Sequence, residues 1–555
     1  MERDICFIEN LEDINLIEKK LISKKLLFVP LNLESFLYCK KKNFEIFNFK
    51  ENIDNNFHKN TLKLTKEFLE KLKFKRTLHY SLKAEIIFFL RFRLNSILFI
   101  IEIIDKIKKK FYINQIIVSG LKKKFHRNLH DGNIVTEIIE ELYKGEIKIK
   151  KLSSDQADEN EPIYKIKYIC ENAKFDKKNV LMSNVGYNFY RIIEVLKKNK
   201  INVWVPFFED ISIIKKIVYY LRGFKPLQFK KIYSEDKLND YIEKINYSYK
   251  FHNLSSLLNN FYNKLIFYFN EVEQKSLSLK KTINENNFSL TISNIVKGFN
   301  GSILDNDVNC KTLCVSHGII ARSNNEYDEI YKKIIAQAVF SGESKYFAIQ
   351  SKIMEDSLNT HNLKGKKLIT GNIVFSSSQK IKKNNIYVVQ ASTLKDFSNL
   401  QFLGVEMFYE YWEALSTLNN IAKKDLIKII VKPHPTIKKC TSELRKNFNY
   451  LKFSDKSISK LLTKSSLLIS FSSSVIEDAL NSFVPVILFD LSKRYNHIGS
   501  VKKLDYLSAI NYTSLERELV EILKNSRIKK ITNFDNFVFR SEYQDNIKKN
   551  ILNLI

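Results

Sequence analysis

Three short clusters in this 555-residue chain combine side chains that bind or move charge. The first is Lys432-Pro433-His434-Pro435, directly after the apolar run Ile429-Ile430-Val431. Two prolines fix φ on either side of His434, so its imidazole is held at low entropic cost beside the Lys432 ammonium. Such a pair suits hydrogen bonding to a phosphate, although a strand-ending turn with an incidental His reads the same way. The second cluster is Ser472-Ser473-Ser474, between the apolar run Leu467 to Ile469 and a helical pattern. Hydroxyls and exposed N–H groups at a helix start make an anion site. Glu477 follows Ser474 at capping-box spacing, which accounts for one Ser but not for three. The third cluster, Ser316-His317-Gly318, ends the run Thr312 to Val315. His titrates near neutrality, as a general base must, and Gly admits a substrate to the backbone. A His packed at a domain interface is the alternative.

Lesser candidates occupy other strand ends. Gly186, in the turn after residues 179–183, gives room for a ligand without completing G-x-G-x-x-G. Glu209 and Asp210 follow the strand-like run 202–206 and form a reserve carboxylate pair for proton abstraction. Asp305-Asn306-Asp307 has a cation-holding form, yet its flanks read as an ordinary polar turn. Cys310, Cys314 and His317 lack a second pair at zinc-site spacing. Gly365-Lys366 lacks the upstream Gly and following hydroxyl of a Walker loop. Dinucleotide redox chemistry and P-loop hydrolysis are therefore not expected, and neither is a bound metal or cofactor.

Each cluster lies where a short apolar run gives way to a polar turn. Runs at 25–30, 44–49, 113–119, 179–183, 202–206, 312–316, 345–349, 367–370, 386–390, 426–432, 467–470 and 484–489 read as strands. Segments 33–42, 59–74, 81–110, 134–143, 189–198, 405–421, 457–464 and 475–482 read as helices. That alternation predicts an α/β fold of parallel sheets, whose ligands bind beyond the carboxyl ends of strands. The expected organisation is an N-terminal lobe over 1–371 with a subdomain boundary at the acidic stretch 152–162. A hinge over 372–385 and a C-terminal lobe over 386–555 follow.

Composition narrows the class. Hydrophobic residues make up 44% and aromatics 13%, ample for large cores. The formal charge is +30, but only 13 of the 91 basic residues are Arg. Base readout and bidentate phosphate gripping favour Arg, so nucleic acid is not an expected partner; the surplus fits an anionic membrane surface and plain solubility equally well. The apolar stretch 84–104 carries Glu85, Arg91, Arg93 and Glu102, which points to a buried or interfacial helix rather than a spanning one. Six cysteines do not make a disulfide framework in so long a chain. The start, Met1-Glu2-Arg3-Asp4, lacks the basic-then-apolar order of an export signal. The expected location is the cytoplasm, or the inner face of the cell membrane.

The order of motifs resembles a known group. Ser-His-Gly at 316–318, Thr-Gly-Asn at 370–372, Lys-Pro-His-Pro at 432–435, and the Ser cluster before the run Val484 to Asp490 resemble GT-B glycosyltransferases of bacterial surface polysaccharide synthesis. The nearest likeness is to capsule polysaccharide biosynthesis proteins, including Kdo and sialic acid transferases, and to CDP-glycerol glycerophosphotransferases. The resemblance implies two Rossmann-like lobes and a nucleotide-activated donor, with a CMP-sugar favoured. It implies that His434, Pro435 and two of Ser472, Ser473 and Ser474 bind the donor's phosphate and nucleotide, with His317 and Gly318 in the acceptor lobe. No acidic pair followed by Gly, as in sialyltransferases, is present. Ser316 stands where the glycerophosphotransferases place an aromatic. The expected activity is transfer of a sugar to a growing surface polysaccharide or lipid-linked glycan. Lys432 and His434 would stabilise the leaving phosphate, His317 would serve as base, and Glu477 would accept from ribose. A UDP-N-acetylglucosamine 2-epimerase and a non-catalytic glycan- or membrane-surface-binding protein of the same fold are the rivals.

Overall fold

The structure is a computed structural model. It describes all residues except 1, 10–25, 120–133, 153–164, 172, 174, 176–177, 187–188, 235, 317–320, 322, 324, 341, 358–362, 364, 376–386, 392–405, 426, 502–503, 525–530 and 540–541. Two of the expected elements, the acidic stretch and most of the hinge, lie outside the described residues.

The chain is α/β, and its three larger described sheets are parallel except for one edge strand, beside a small antiparallel pair, Ser248–Tyr249 and His252–Asn253. The C-terminal sheet has six strands in the spatial order Lys452–Phe453, Lys428–Lys432, Tyr387–Ala391, Leu467–Ser470, Val486–Phe489 and Ile510–Thr513. Numbered along the chain this is 3-2-1-4-5-6, the Rossmann order, with its switch point between Tyr387–Ala391 and Leu467–Ser470. Its strands are continuous apolar runs buried on both faces, as at Leu467–Ser470 against Val486–Phe489, where Leu468 pairs with Val486 and Ser470 with Leu488. The middle sheet repeats the order with Lys225–Ser234, Asn202–Phe207, Asn179–Met182, Phe288–Ser293, Lys311–Cys314, Tyr346–Ile349 and Lys366–Ile369. Lys165–Cys170 closes its edge antiparallel to Lys225–Ser234.

A third parallel sheet stands at the N-terminus, in the order Leu26–Pro30, Glu2–Ile8, Tyr112–Val118 and Lys148–Lys151. Its central strand was hidden in the sequence by Glu2, Arg3 and Asp4. Those charges are satisfied sideways: Arg3 pairs with Glu45 at 2.8 Å, and Asp4 accepts from Asn114 and Gln115. The expected strand at 44–49 does not form. Only Ile46 bridges to Phe28, and Asn48 caps a one-turn helix, Phe49–Asn52, by accepting from the Glu51 N–H. Strands Phe288–Ser293 and Ile510–Thr513 and the helix Ser255–Glu285 were also not anticipated.

The helix Tyr80–Lys108 is buried along most of its length, as its charges predicted. Arg93 pairs with Glu137 at 2.6 Å, and Glu85 with Lys297 at 2.7 Å. Among the described residues no helix is long and apolar enough to cross a membrane. The N-terminal unit packs on the C-terminal one through aromatic rings: Phe36 meets Phe408 and Trp412, and Phe49 stacks on Tyr409 at 5.3 Å. The helix Tyr543–Asn550 returns to the middle sheet. Ile547, Ile551 and Leu554 enter its core beside Val180, Met182 and Leu290, and Asn546 donates to the Asn372 carbonyl at 2.9 Å.

Candidate functional site

His434 ends the second strand of the C-terminal sheet, and Ser472–474 follow the fourth. Both clusters therefore lie at the carboxyl edge, on either side of the first strand. One intervening strand separates their parent strands by about 10 Å, and the switch point adjoins the Ser cluster.

His434 caps the 3₁₀ turn Pro435–Cys440. Its Nδ1 lies 2.8 Å from Thr436 Oγ1 and accepts from the Thr436 N–H at 3.3 Å. A backbone N–H can only donate, so Nδ1 carries the lone pair and Nε2 the proton, giving a donor of defined direction. Lys432 is half-buried, and its Nζ donates to the Pro433 carbonyl at 3.2 Å. Burial lowers the pKa of that ammonium, opposed by Asp455 and reinforced by Lys438.

The Ser cluster is less simple than its sequence. Ser473 Oγ accepts from the Val475 N–H at 3.3 Å, so it turns inward to the helix start. Ser474 makes no side-chain cap, and the capping box with Glu477 is not formed. The helix Val475–Asn481 has only seven residues, which leaves little dipole for an anion. Glu477 is 1% exposed, and its carboxylate accepts from Ser351 Oγ, just beyond the middle-sheet strand Tyr346–Ile349. Burial pushes the Glu477 pKa up to about 8. This acid thus joins the carboxyl-edge regions of two sheets.

Ser472 holds the partner that sequence reasoning missed. Its Oγ lies 3.1 Å from His497 Nδ1, and Tyr495 OH lies 3.4 Å from the same nitrogen. His497 is 7% exposed, and its Nε2 has no hydrogen-bond partner among the described residues. Burial pulls its pKa down to about 3, with the Lys332 charge adding to the shift. Lys332 reaches in from the helix Glu326–Val339 and sits 5.9 Å from the Tyr495 ring. Its own pKa falls to about 8 through burial, opposed by Asp328. The loop is anchored by Arg494, whose guanidinium grips Glu410 with two bonds of 2.7 and 2.6 Å. Beside it a cavity of about 230 Å³ is lined by His58, Asp328, Tyr331, Arg494 and Tyr495. The signal for His497 was legible: it stands eight residues beyond Phe489, a strand end of the kind that singled out His434.

On the middle sheet, Gly186 lies at the corresponding switch point, between Asn179–Met182 and Phe288–Ser293. Its N–H donates to Asn184 Oδ1 at 2.8 Å, and Asn184 Nδ2 donates to Asn294 Oδ1 at 3.2 Å across the switch. A Cβ at Gly186 would stand 2.9 Å from Asn184 Oδ1, so a side chain there would displace the Asn184 amide. Glu209 and Asp210 are exposed beyond the neighbouring strand. His317 and Gly318 lie outside the described residues; Ser316 is buried, and its carbonyl accepts from Gln350 at 2.7 Å. Asp305 and Asp307 share the Lys280 ammonium at 2.9 and 3.0 Å, so one charge from the helix Ser255–Glu285 offsets part of theirs. Cys314 is fully buried, which pushes its thiol up to about 12 and away from the thiolate a metal needs.

No family model and no curated protein matches the chain. Among solved structures it is similar to TarM (13% identity, TM-score 0.41, covering 68% of this chain and 98% of that one). It is also similar to the UDP-GlcNAc 2-epimerase from Methanocaldococcus jannaschii (13%, 0.39, 68% and 99%) and to the wall teichoic acid polymerase TagF (13%, 0.35, 67% and 84%).

Proposed function

We propose that the chain is a GT-B glycosyltransferase that moves a sugar from a nucleotide-activated donor to a surface polysaccharide or lipid-linked glycan, with a CMP-sugar as the favoured donor. The donor lobe is assigned to 386–555 except the closing segment from Tyr543, which packs on the middle sheet, and the acceptor lobe to 1–371, hinged over 372–385. The observation that supports this reading is the placement of His434, Lys432 and the Ser472–His497 pair at the carboxyl ends of strands on either side of the first strand of a Rossmann-ordered sheet. Such donors stabilise charge that develops on a leaving phosphate. The unsatisfied His497 Nε2 supports a polar ligand there, because a buried nitrogen left unpaired costs about 1–3 kcal/mol. His317 is assigned the acceptor-side base, and the resemblance of its Ser-His-Gly motif supports that role. Gly186, Glu209 and Asp210 are assigned to the acceptor side by their strand ends.

The test is a panel of CMP, CDP and UDP, followed by turnover with the matching sugar nucleotide. A productive nucleotide at about 100-fold its Kd stabilises the fold by ~2.7 kcal/mol. His434→Ala removes most of that gain and lowers kcat by about 100-fold or more, the loss typical of one oxyanion-type donor. Full turnover by that variant, or no shift with any nucleotide, overturns the proposal. Epimerised sugar formed from UDP-N-acetylglucosamine without acceptor transfers the site to the rival activity.

A further inference from the structure

The helix Ile213–Arg222 connects two neighbouring parallel strands of the middle sheet, Asn202–Phe207 and Lys225–Ser234, a position that ordinarily buries one helix face. Here none of its ten residues is buried. Lys216 and Tyr219 alone turn toward the body, where Tyr219 stacks on Phe207 at 5.0 Å and packs on Phe224 at 4.8 Å. At 100° per residue the remaining apolar side chains, Ile213, Ile214, Ile217, Val218, Tyr220 and Leu221, fill one arc about 160° wide on the opposite side. Their exposure runs from 36% at Val218 to 76% at Ile213. The element is anchored at both ends: Ser212 caps it by accepting from the Lys215 N–H, and Lys197 Nζ donates to the Leu221 carbonyl at 3.1 Å.

Charge identifies the occupant. Lys215 and Arg222 border the apolar arc, and between residues 190 and 234 ten basic residues face three acidic ones, against 91 to 61 in the whole chain. A second copy of the same face would oppose like charges, which disfavours self-association. An apolar stripe bordered by Lys and Arg is instead the pattern of a helix lying in the headgroup layer, held by burial and by attraction to anionic lipid.

We infer that Ile213–Arg222 docks this protein on an anionic bilayer with the Ile213–Ile217–Leu221 stripe in the headgroup–acyl boundary. The helix begins just past the carboxyl end of Asn202–Phe207, the edge that also carries Gly186, so docking brings that edge to the membrane. This inference does not depend on the reaction proposed above.

The full-length protein is sedimented with vesicles of phosphatidylcholine containing about 30 mol% phosphatidylglycerol, and with phosphatidylcholine alone. Wild type binds the anionic vesicles, and both the neutral vesicles and raised salt weaken binding by about fivefold or more. Ile214→Glu with Leu221→Glu lowers partitioning by about tenfold or more with an unchanged Tm. Tyr112→Glu, an equally exposed position on another sheet (71%), leaves it unchanged. Wild-type failure to bind anionic vesicles, or equal binding by the double variant, overturns the inference. So does a wild-type dimer in light scattering that the double variant dissolves.

Discussion

Burial decides the protonation state of Glu477, and that state decides how the residue contributes at each pH. Its carboxyl ionises near 4.5 in the unfolded chain and near 8 in the fold, so the native state binds more protons over that interval. By linkage, the stability from this group is complete below about pH 4.5 and falls as pH rises toward 8. Glu477→Gln keeps the shape and a partner for Ser351 but has no charge to bury. We expect it to match wild type at pH 5 and to be more stable by about 1–3 kcal/mol at pH 8, measured by urea unfolding at both pH values. An equal difference at the two pH values contradicts the shift. At this scale the sequence was a partial guide. His434 was legible because two prolines announce its rigidity, whereas the cap expected of Ser474 is not made and Ser473 accepts from the helix start instead. The inward turn of Glu477 was not legible, because its partner Ser351 is 126 residues away and no local pattern marks it.

Helix Phe408–Asp425 and the loop carrying Arg494 to His497 act as one element, because Glu410 joins them. Glu410 Oε2 also accepts from the Met407 N–H at the helix start. The ion pair is buried on both sides, at 4% and 7% exposure. Removing one partner of such a pair leaves a desolvated charge, at a cost of about 3–5 kcal/mol. Glu410→Ala therefore lowers the urea midpoint by that equivalent, whereas Glu410→Gln loses less because one hydrogen bond survives. Equal stability of all three proteins counts against the pair. Strands were legible wherever both faces are buried and the run is apolar, as at Leu467–Ser470. They were missed where a charged residue intrudes, as at Glu2–Ile8, or where the strand opens Phe-Ser and runs through Thr, as at Phe288–Ser293. Chain-order pairing hid the sheet order itself, since the first and fourth strands of each Rossmann-ordered unit are neighbours only in space.

Across the whole molecule, 91 basic residues against 61 acidic ones leave a self-repelling surface. Repulsion of this kind opposes the compact state and is screened within a Debye length of ~10 Å at 0.1 M salt. Raising NaCl from about 20 to 300 mM should increase Tm by a few degrees, read by intrinsic fluorescence; a flat or falling Tm shows that local ion pairs outweigh the net charge. The same screening weakens lipid binding, so salt moves the two properties in opposite directions. The sequence made the charge and its surplus over 190–234 legible, but not the exposure of the apolar arc it borders, which depends on how that helix sits on its sheet. The return of Ile547, Ile551 and Leu554 to the core around Val180 and Leu290 bears on synthesis. The ribosome must release residues near 551 before the middle unit, begun more than 350 residues earlier, gains its full cover. Until then the nascent polypeptide offers a greasy flank to chaperones, and disrupting residues 543–555 should harm the centre of the protein rather than its periphery.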